Sequence, residues 1–338
     1  MDIEIDGSWG EGGGQIARTA VGLACALGKS ISVRNIRKGR RQPGLKAQHL
    51  AGMKLAAEMC DAEVSGLDIG STEVEFSPGS NLGGSFTADI GTAGSVSLVL
   101  QTCMLPAITA RGGTELVIRG GTDVPWSPPI DYLRMVLLPL LRRMGIEADI
   151  TVVQRGFYPA GGGEIRMEIA PAGLSGIDLS SRGRLVGIDG GIACRNLPSH
   201  VPERIRNAAA EGLSKLTAPA FSIDDGRGRS TGVSLVLAAV FEGSVVGSSC
   251  LGEKGMPAEK VGESAARNLL EEMSCGATLD EHAADQMIPF MFLAEGGSKF
   301  LCSELSLHAK TNLWVAGQFI DRKVRTEESG RSQKVSIA

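Results

Sequence analysis

One order of segments runs through the chain twice and then returns in part, and this repetition constrains the fold more than any other feature. Residues 12–77 read as a glycine cluster, a helical stretch QIARTAVGLACAL, Gly28, a strand SISVRNI, a basic loop and Pro43. A second helix, LKAQHLAGMKLAAEM, then leads to two short strands ending at TEVEF. Residues 94–169 repeat that order: Gly94, SVSLVLQTCMLPAI, Gly112 and Gly113, TELVI, the loop GGTDVPW, Pro128 and Pro129, DYLRMVLLPLLRRM, and strands at ADITVV and EIRMEI. Gly14 and Gly94 lie 80 residues apart, and Pro43 and Pro129 lie 86 apart. A third, shorter copy starts at DEHAADQMIPFMFLA, passes Gly296 and Gly297, runs a strand KFLCSELSL and ends in the helix NLWVAGQFI.

The helices rest on apolar residues at three- and four-residue spacing, such as Leu133, Val136, Leu137 and Leu140, and the strands on β-branched content and alternation. A period near 80 is too long for a solenoid, so the expected class is α+β, with three repeated subdomains packed on one another. Residues 181–276 fit neither copy. They read as strand, helix, two strands and helix, an inserted β-α-β-β-α domain of normal size. The catalytic unit is then expected over 1–180 and 277–338. The polar tail after Arg325 is expected to fray.

Composition narrows the function. The 338 residues carry a formal charge of −4, so a polyanion must be gripped by a local patch. Seven scattered cysteines without a CxxC pair argue for reduced thiols in the cytoplasm and against a zinc site. The acidic, strand-like MDIEIDG is no targeting signal. The uncharged run from Ile90 to Ala110 holds Ser95, Gln101, Thr102, Pro106 and Thr109 and reads as a buried helix instead of a membrane span.

Several stretches carry chemistry. GEGGGQIAR at 10–18 places glycines before a helix, whose free N–H groups suit a phosphate, although neither a Walker A loop nor a dinucleotide fingerprint is present. Glu11 can hold a hard divalent cation and Arg18 can meet a phosphate. Arg34, Arg37, Lys38, Arg40, Arg41 and Lys46 put six cations within 13 residues, a patch for phosphate or a nucleic-acid backbone. Gln48 and His49 follow on the next helix; His49 reads better as a partly buried helix residue. In FLCSELSLHAK, alternation sets His308 on a polar strand face just before a helix, where imidazole can act as base, ligand or nucleophile. Gln101 is an amide inside an apolar helix, and His282, Asp285 and Gln286 open another helix where a nucleotide can be met. RGFYPAGGGEI at 155–165 reads better as a structural turn than as a site. Trp9, Trp126 and Trp314 are too spread out to form a stacking platform by themselves.

Together GEGGGQIAR, IRKGRRQPGLKAQHL, RGFYPAGGGEI and LHAKTNLWV resemble the RNA 3'-terminal phosphate cyclase family over essentially the whole chain. The resemblance implies three βαβαββ-type repeats like the C-terminal domain of a translation initiation factor, related to enolpyruvyl transferases, with a small insert. It implies a cytoplasmic RNA-processing ligase that turns an RNA 3'-phosphate into a 2',3'-cyclic phosphate. ATP and a divalent cation (Mg2+ or Mn2+) serve it, through enzyme–AMP and RNA(3')pp(5')A intermediates. It places the AMP-accepting nucleophile at His308, the metal-holding carboxylate at Glu11, phosphate contacts at Arg18, Arg37 and Arg40, and a site glutamine at Gln48. ATP-binding positions fall on Gln101 and on His282, Ala283, Ala284, Asp285 and Gln286, where some members carry tyrosine in place of His282. The expected partner is RNA ending in a 3'-phosphate, and a homodimer is left open. The competing readings are a non-catalytic RNA-binding ribosome-assembly factor of the same fold and an enolpyruvyl-type transferase acting on a small metabolite.

Overall fold

A computed structural model describes residues 2–10 and 12–338. Four four-stranded mixed sheets and their helices form an α+β protein. The first sheet takes β1 (Ile3–Asp6), β2 (Ile31–Arg34), β3 (Glu63–Ser65) and β4 (Val74–Ser77) in the order β1-β2-β4-β3. Its helices are α1 (Gly14–Leu27) and α2 (Ala47–Met59). The second takes β5 (Gly84–Asp89), β6 (Thr114–Gly120), β7 (Ala148–Gln154) and β8 (Gly163–Ile169) in the order β5-β6-β8-β7. In each, the first pair is parallel and the other two antiparallel.

Between β5 and β6 runs α3 (Val96–Thr109); between β6 and β7 run α4 (Ile130–Tyr132), a π-helical turn at Leu133–Leu137 and α5 (Leu138–Arg142). Pro139 has no N–H to offer the ladder, and the widened turn sits just before it.

Next come β9 (Asp178–Leu179), β10 (Leu185–Arg195), α6 (His200–Leu213), β11 (Ala220–Gly226), β12 (Gly232–Phe241), β13 (Val245–Leu251) and α7 (Ala258–Ser274). The sheet β11-β10-β12-β13 buries its own apolar cluster, Ile188 to Met273, separate from the larger core. Within 181–276, β11 is the element the sequence pattern did not reveal, as it did not reveal β5 and β9 outside it. AFSIDDG is a mostly exposed edge strand parallel to β10, so it shows no apolar alternation.

The chain ends with α8 (Glu281–Leu293), β14 (Ser298–Cys302), α9 (Leu307–Gly317), β15 (Val324–Ser329) and β16 (Ser332–Ile337). The tail expected to fray is instead a hairpin, and Phe300↔Val335 and Leu301↔Lys334 register it on β14. Polar composition misled here because only Val335 and Ile337 face the core. The last sheet reads β9-β14-β16-β15 with a parallel first pair, so its first strand precedes the segment that carries β10–β13.

The strand expected over KFLCSELSL stops at Cys302. Ser306 then caps α9 by accepting the N–H of Ala309 at 3.0 Å, so His308 lies in the first turn of a helix and not on a strand. α1 packs closely on α3: a Cβ on Gly22 would come within 2.9 Å of the Thr102 carbonyl oxygen. Among the described residues, no helix is long and apolar enough to cross a membrane.

Candidate active site

The N-termini of α1, α2, α8 and α9, the basic loop after β2, the middle of α3 and the loop after β6 surround one cavity of 730 Å3. α1 begins at Gly14 after the N-cap Gly13, no side chain among the described residues caps it, and Gly13, Gly14 and Gln15 line the cavity. Gly14 must be glycine. A Cβ there would stand 2.1 Å from Nε2 of His49.

Of the residues singled out from sequence, Arg18, Arg37, Arg40, Gln48, Gln101, His282, Asp285, Gln286 and His308 all line this cavity. Ala283 and Ala284 do not: both are buried in the core beneath it, on the inner face of α8. Glu11 lies outside the described residues.

His308 is held from α1. The Gln15 amide donates its Nε2–H to the His308 carbonyl at 3.2 Å, and its Oε1 lies 2.5 Å from His308 Nδ1. Because the amide nitrogen faces a carbonyl, its oxygen faces the ring, and a ring nitrogen that meets an acceptor must carry the proton. The neutral imidazole is therefore the Nδ1–H tautomer, with its lone pair on Nε2. Thr19 on α1 donates to Asn312 on α9 at 2.8 Å, and Asn312 donates to the Asp285 carbonyl on α8 at 2.7 Å. α1 is thus tied to α9, and α9 to α8, near the other end of the chain. Trp9 and Trp314 stack face to face at 4.8 Å, tying the glycine loop to α9; this pairing was not expected from their sequence separation.

The cationic wall is built by local geometry. Arg37 adopts a left-handed φ of +55° and spends its guanidinium on the carbonyls of Gln42 and Gly44, both at 2.8 Å, so it shapes the loop as well as charging it. Burial and the neighbouring Arg40 press its pKa down from the ordinary arginine value. Gln48 accepts the Ser95 N–H at 3.0 Å, fastening α2 to the start of α3. Across the cavity Gln101 donates to Gln286 at 2.9 Å, and Gln286 donates to the His282 carbonyl at 2.9 Å. The polar residue inside α3 thus has its partner on α8.

Sequence reasoning passed over Gln15 as a site residue and set His49 aside. Gln15 follows three glycines and opens a helix, which is a signal; its partner is 293 residues away and is not. His49 is buried, as expected, yet its ring borders the cavity.

The RGFYPAGGGEI stretch lies away from the cavity and joins the second sheet to the β10–β13 segment. Arg155, 3% exposed, meets Asp123 at 3.4 Å, Asp131 at 2.7 Å and Asp224 of β11 at 2.9 Å. Ser234 of β12 donates to Asp123 at 2.7 Å, and Ser230 accepts the Ala160 N–H at 2.9 Å. Burial alone would lower the Arg155 pKa; Asp123 and Asp131 outweigh it and raise it. No group of three or more His, Cys, Asp or Glu among the described residues can hold a metal ion, and Asp285 is the one described carboxylate lining the cavity. That donor set fits a cation carried chiefly by phosphate oxygens, as Mg2+ often is, not a protein cage.

The family model of RNA 3'-terminal phosphate cyclase matches residues 9–326. The chain is 46% identical over 327 residues to the RNA 3'-terminal phosphate cyclase of Archaeoglobus fulgidus, covering 96% of this chain and 98% of that protein. The proteins of the same name from Methanosarcina barkeri and Pyrobaculum neutrophilum are 44% and 45% identical; the matches cover 99% and 98% of this chain and 100% and 96% of theirs.

Proposed function

Because the chain belongs to the RNA 3'-terminal phosphate cyclase family, we propose that its cavity uses ATP to convert an RNA 3'-terminal phosphate into a 2',3'-cyclic phosphate. The observation that carries this reading is the convergence of the Nδ1–H tautomer of His308 with Arg18, Arg37 and Arg40 around one cavity. Nε2 attacks the α-phosphorus of ATP, the bond to the bridging oxygen breaks, and pyrophosphate departs. An oxygen of the RNA 3'-phosphate then attacks the adenylyl phosphorus; the P–N bond breaks, its electron pair returns to Nε2, and RNA(3')pp(5')A is formed. The vicinal 2'-hydroxyl attacks the 3'-phosphorus, gives up its proton, and AMP leaves.

Each step moves negative charge among phosphate oxygens, and preorganised guanidinium groups and helix N–H donors stabilise that charge best where water is scarce. We assign phosphate contacts to Arg18, Arg37 and Arg40 and a substrate contact to Gln48. The nucleotide lies on the side of Gln101, His282, Asp285 and Gln286. Ala283 and Ala284 support that segment from the core and offer the ligand only backbone. Mg2+ or Mn2+, when bound, neutralises phosphate charge, and Glu11 is the loop carboxylate assigned to hold it.

We also read the three like-ordered sheets as one βαβαββ unit repeated. Residues 1–180 and 277–338 form the catalytic unit and 181–276 the insert, a reading the separate apolar cluster of β10–β13 supports. The test of function is incubation with α-labelled ATP and Mg2+ or Mn2+. Acid-labile, base-stable label on the protein that disappears in His308→Ala is expected. A folded wild type that takes no label overturns the reading in favour of a non-catalytic RNA-binding scaffold.

A further inference from the structure

His49 is the third residue of α2 and is 4% exposed. Its Nδ1 accepts the N–H of Lys46 at 3.1 Å, which satisfies one of the open donors at the start of that helix. A nitrogen that accepts holds no proton, so the neutral ring carries its proton on Nε2. That nitrogen faces the start of α1, where only the missing Cβ of Gly14 leaves room for it. Among the described residues no hydrogen bond runs from Nε2, and this nitrogen is not one of the fully buried unpaired side-chain atoms, so it opens onto the cavity that the ring lines. A ring N–H that opens onto a cavity can take its acceptor from a ligand seated there.

The surroundings state what that ligand is. The N-terminus of α1, which no side chain among the described residues caps, lies beside the donor, and Arg18, Arg37, Arg40 and Lys46 line the same cavity. An acceptor matched to all of these is an anionic oxygen of tetrahedral phosphate. Burial, with Arg18, Arg37 and Lys46, pushes the imidazole down to about 3, so it donates without adding positive charge to an already cationic wall.

We propose that His49 is a substrate-binding residue whose Nε2–H donates to a phosphate oxygen seated at the N-terminus of α1. The inference rests on the reading of the cavity as the site for ATP and the RNA 3'-phosphate. Both substrates offer the same oxygen chemistry, and the two half-reactions separate them.

Three proteins test it: wild type, His49→Gln and His49→Glu. Either replacement can accept the Lys46 N–H, since Glu and Gln are the usual third residues of a helix cap. Only Gln keeps a donor; Glu offers an anion. Thermal melting first shows that both variants fold. Label uptake from ATP in a single turnover, and transfer of preformed adenylate to an oligoribonucleotide 3'-phosphate, are then timed separately. His49→Gln is expected within about ten-fold of wild type, and His49→Glu slower by about 100-fold or more, as for a lost oxyanion donor. The loss falls on label uptake if the oxygen belongs to ATP and on transfer if it belongs to RNA. Equal rates for the two variants in both steps overturn the proposal. A second readout needs no variant: the ring N–H resonance of His49 in the wild type should shift on titration with pyrophosphate, and a resonance that stays in place counts equally against it. Should the wild type form no adenylate, the functional reading fails, while the pyrophosphate titration still decides the His49 contact.

Discussion

Gln15 and His308, 293 residues apart, meet through both ends of one amide: Nε2 donates to the His308 carbonyl at 3.2 Å and Oε1 faces Nδ1 at 2.5 Å. The first contact fixes which way the amide points, and so the second fixes which ring nitrogen is protonated. Gln15→Leu should slow formation of the labelled adenylate by about ten- to a hundred-fold, the usual effect of losing a histidine's orienting partner. Single-turnover label uptake measures this, and a rate equal to wild type refutes it.

Gly14→Ala should damage the site from within. The added methyl would sit 2.1 Å from Nε2 and 2.5 Å from Cε1 of His49, so the ring must leave its place. Overpacking of this kind costs about 1–3 kcal/mol. A lower melting temperature together with lost label uptake is expected; a fully active, equally stable variant would contradict the tight approach.

Burial keeps His49 neutral in the folded chain down to about pH 3, whereas an unfolded histidine protonates near about 6.5. Below that value the unfolded chain binds a proton that the folded chain refuses. Stability therefore falls as pH falls, by up to about 1.4 kcal/mol per unit, and has no slope from this group above about 6.5. Melting curves of wild type and His49→Gln from about pH 7.5 to about 4.5 check this. The variant should lose less stability with acid, and parallel curves would dismiss the effect.

Arg155 binds the buried carboxylates of Asp123 and Asp131 and reaches the partly exposed Asp224 of β11. Arg155→Met leaves Asp123 and Asp131 without their cation, and breaking such a pair costs about 3–5 kcal/mol. Denaturant unfolding should show that loss; a change under about 1 kcal/mol would mean that the carboxylates find other partners.

Arg40 is exposed, whereas Arg37 holds the carbonyls of Gln42 and Gly44. Both alanine variants should impair adenylylation. Arg40→Ala should melt like wild type, and Arg37→Ala should lose about 1 kcal/mol with its two hydrogen bonds. Equal melting temperatures would show that the loop holds without the clamp.

The α+β class, the basic loop after β2 and the glycine turn before α1 were legible in the chain, because periodicity, charge density and glycine clusters are local properties. β11 was not, since an exposed edge strand carries no buried face to set a pattern. The terminal hairpin was not either, because two inward residues, Val335 and Ile337, suffice to seat it on β14. His308 was expected on a strand and stands on a helix, the cap by Ser306 having ended the strand pattern early.

What the amino-acid order determined by itself is an inventory: which segments turn, which bury a face, and which carry charge. Only the folded chain decided the pairings. Gln15 with His308, Gln101 with Gln286, Trp9 with Trp314, and the His49 ring against Gly14 join stretches far apart in sequence or pack through a missing methyl. The proton on His308 follows from the first of those pairings. A hydrogen bond's direction is set by the partner across the cavity, and that partner exists only once the helices have packed.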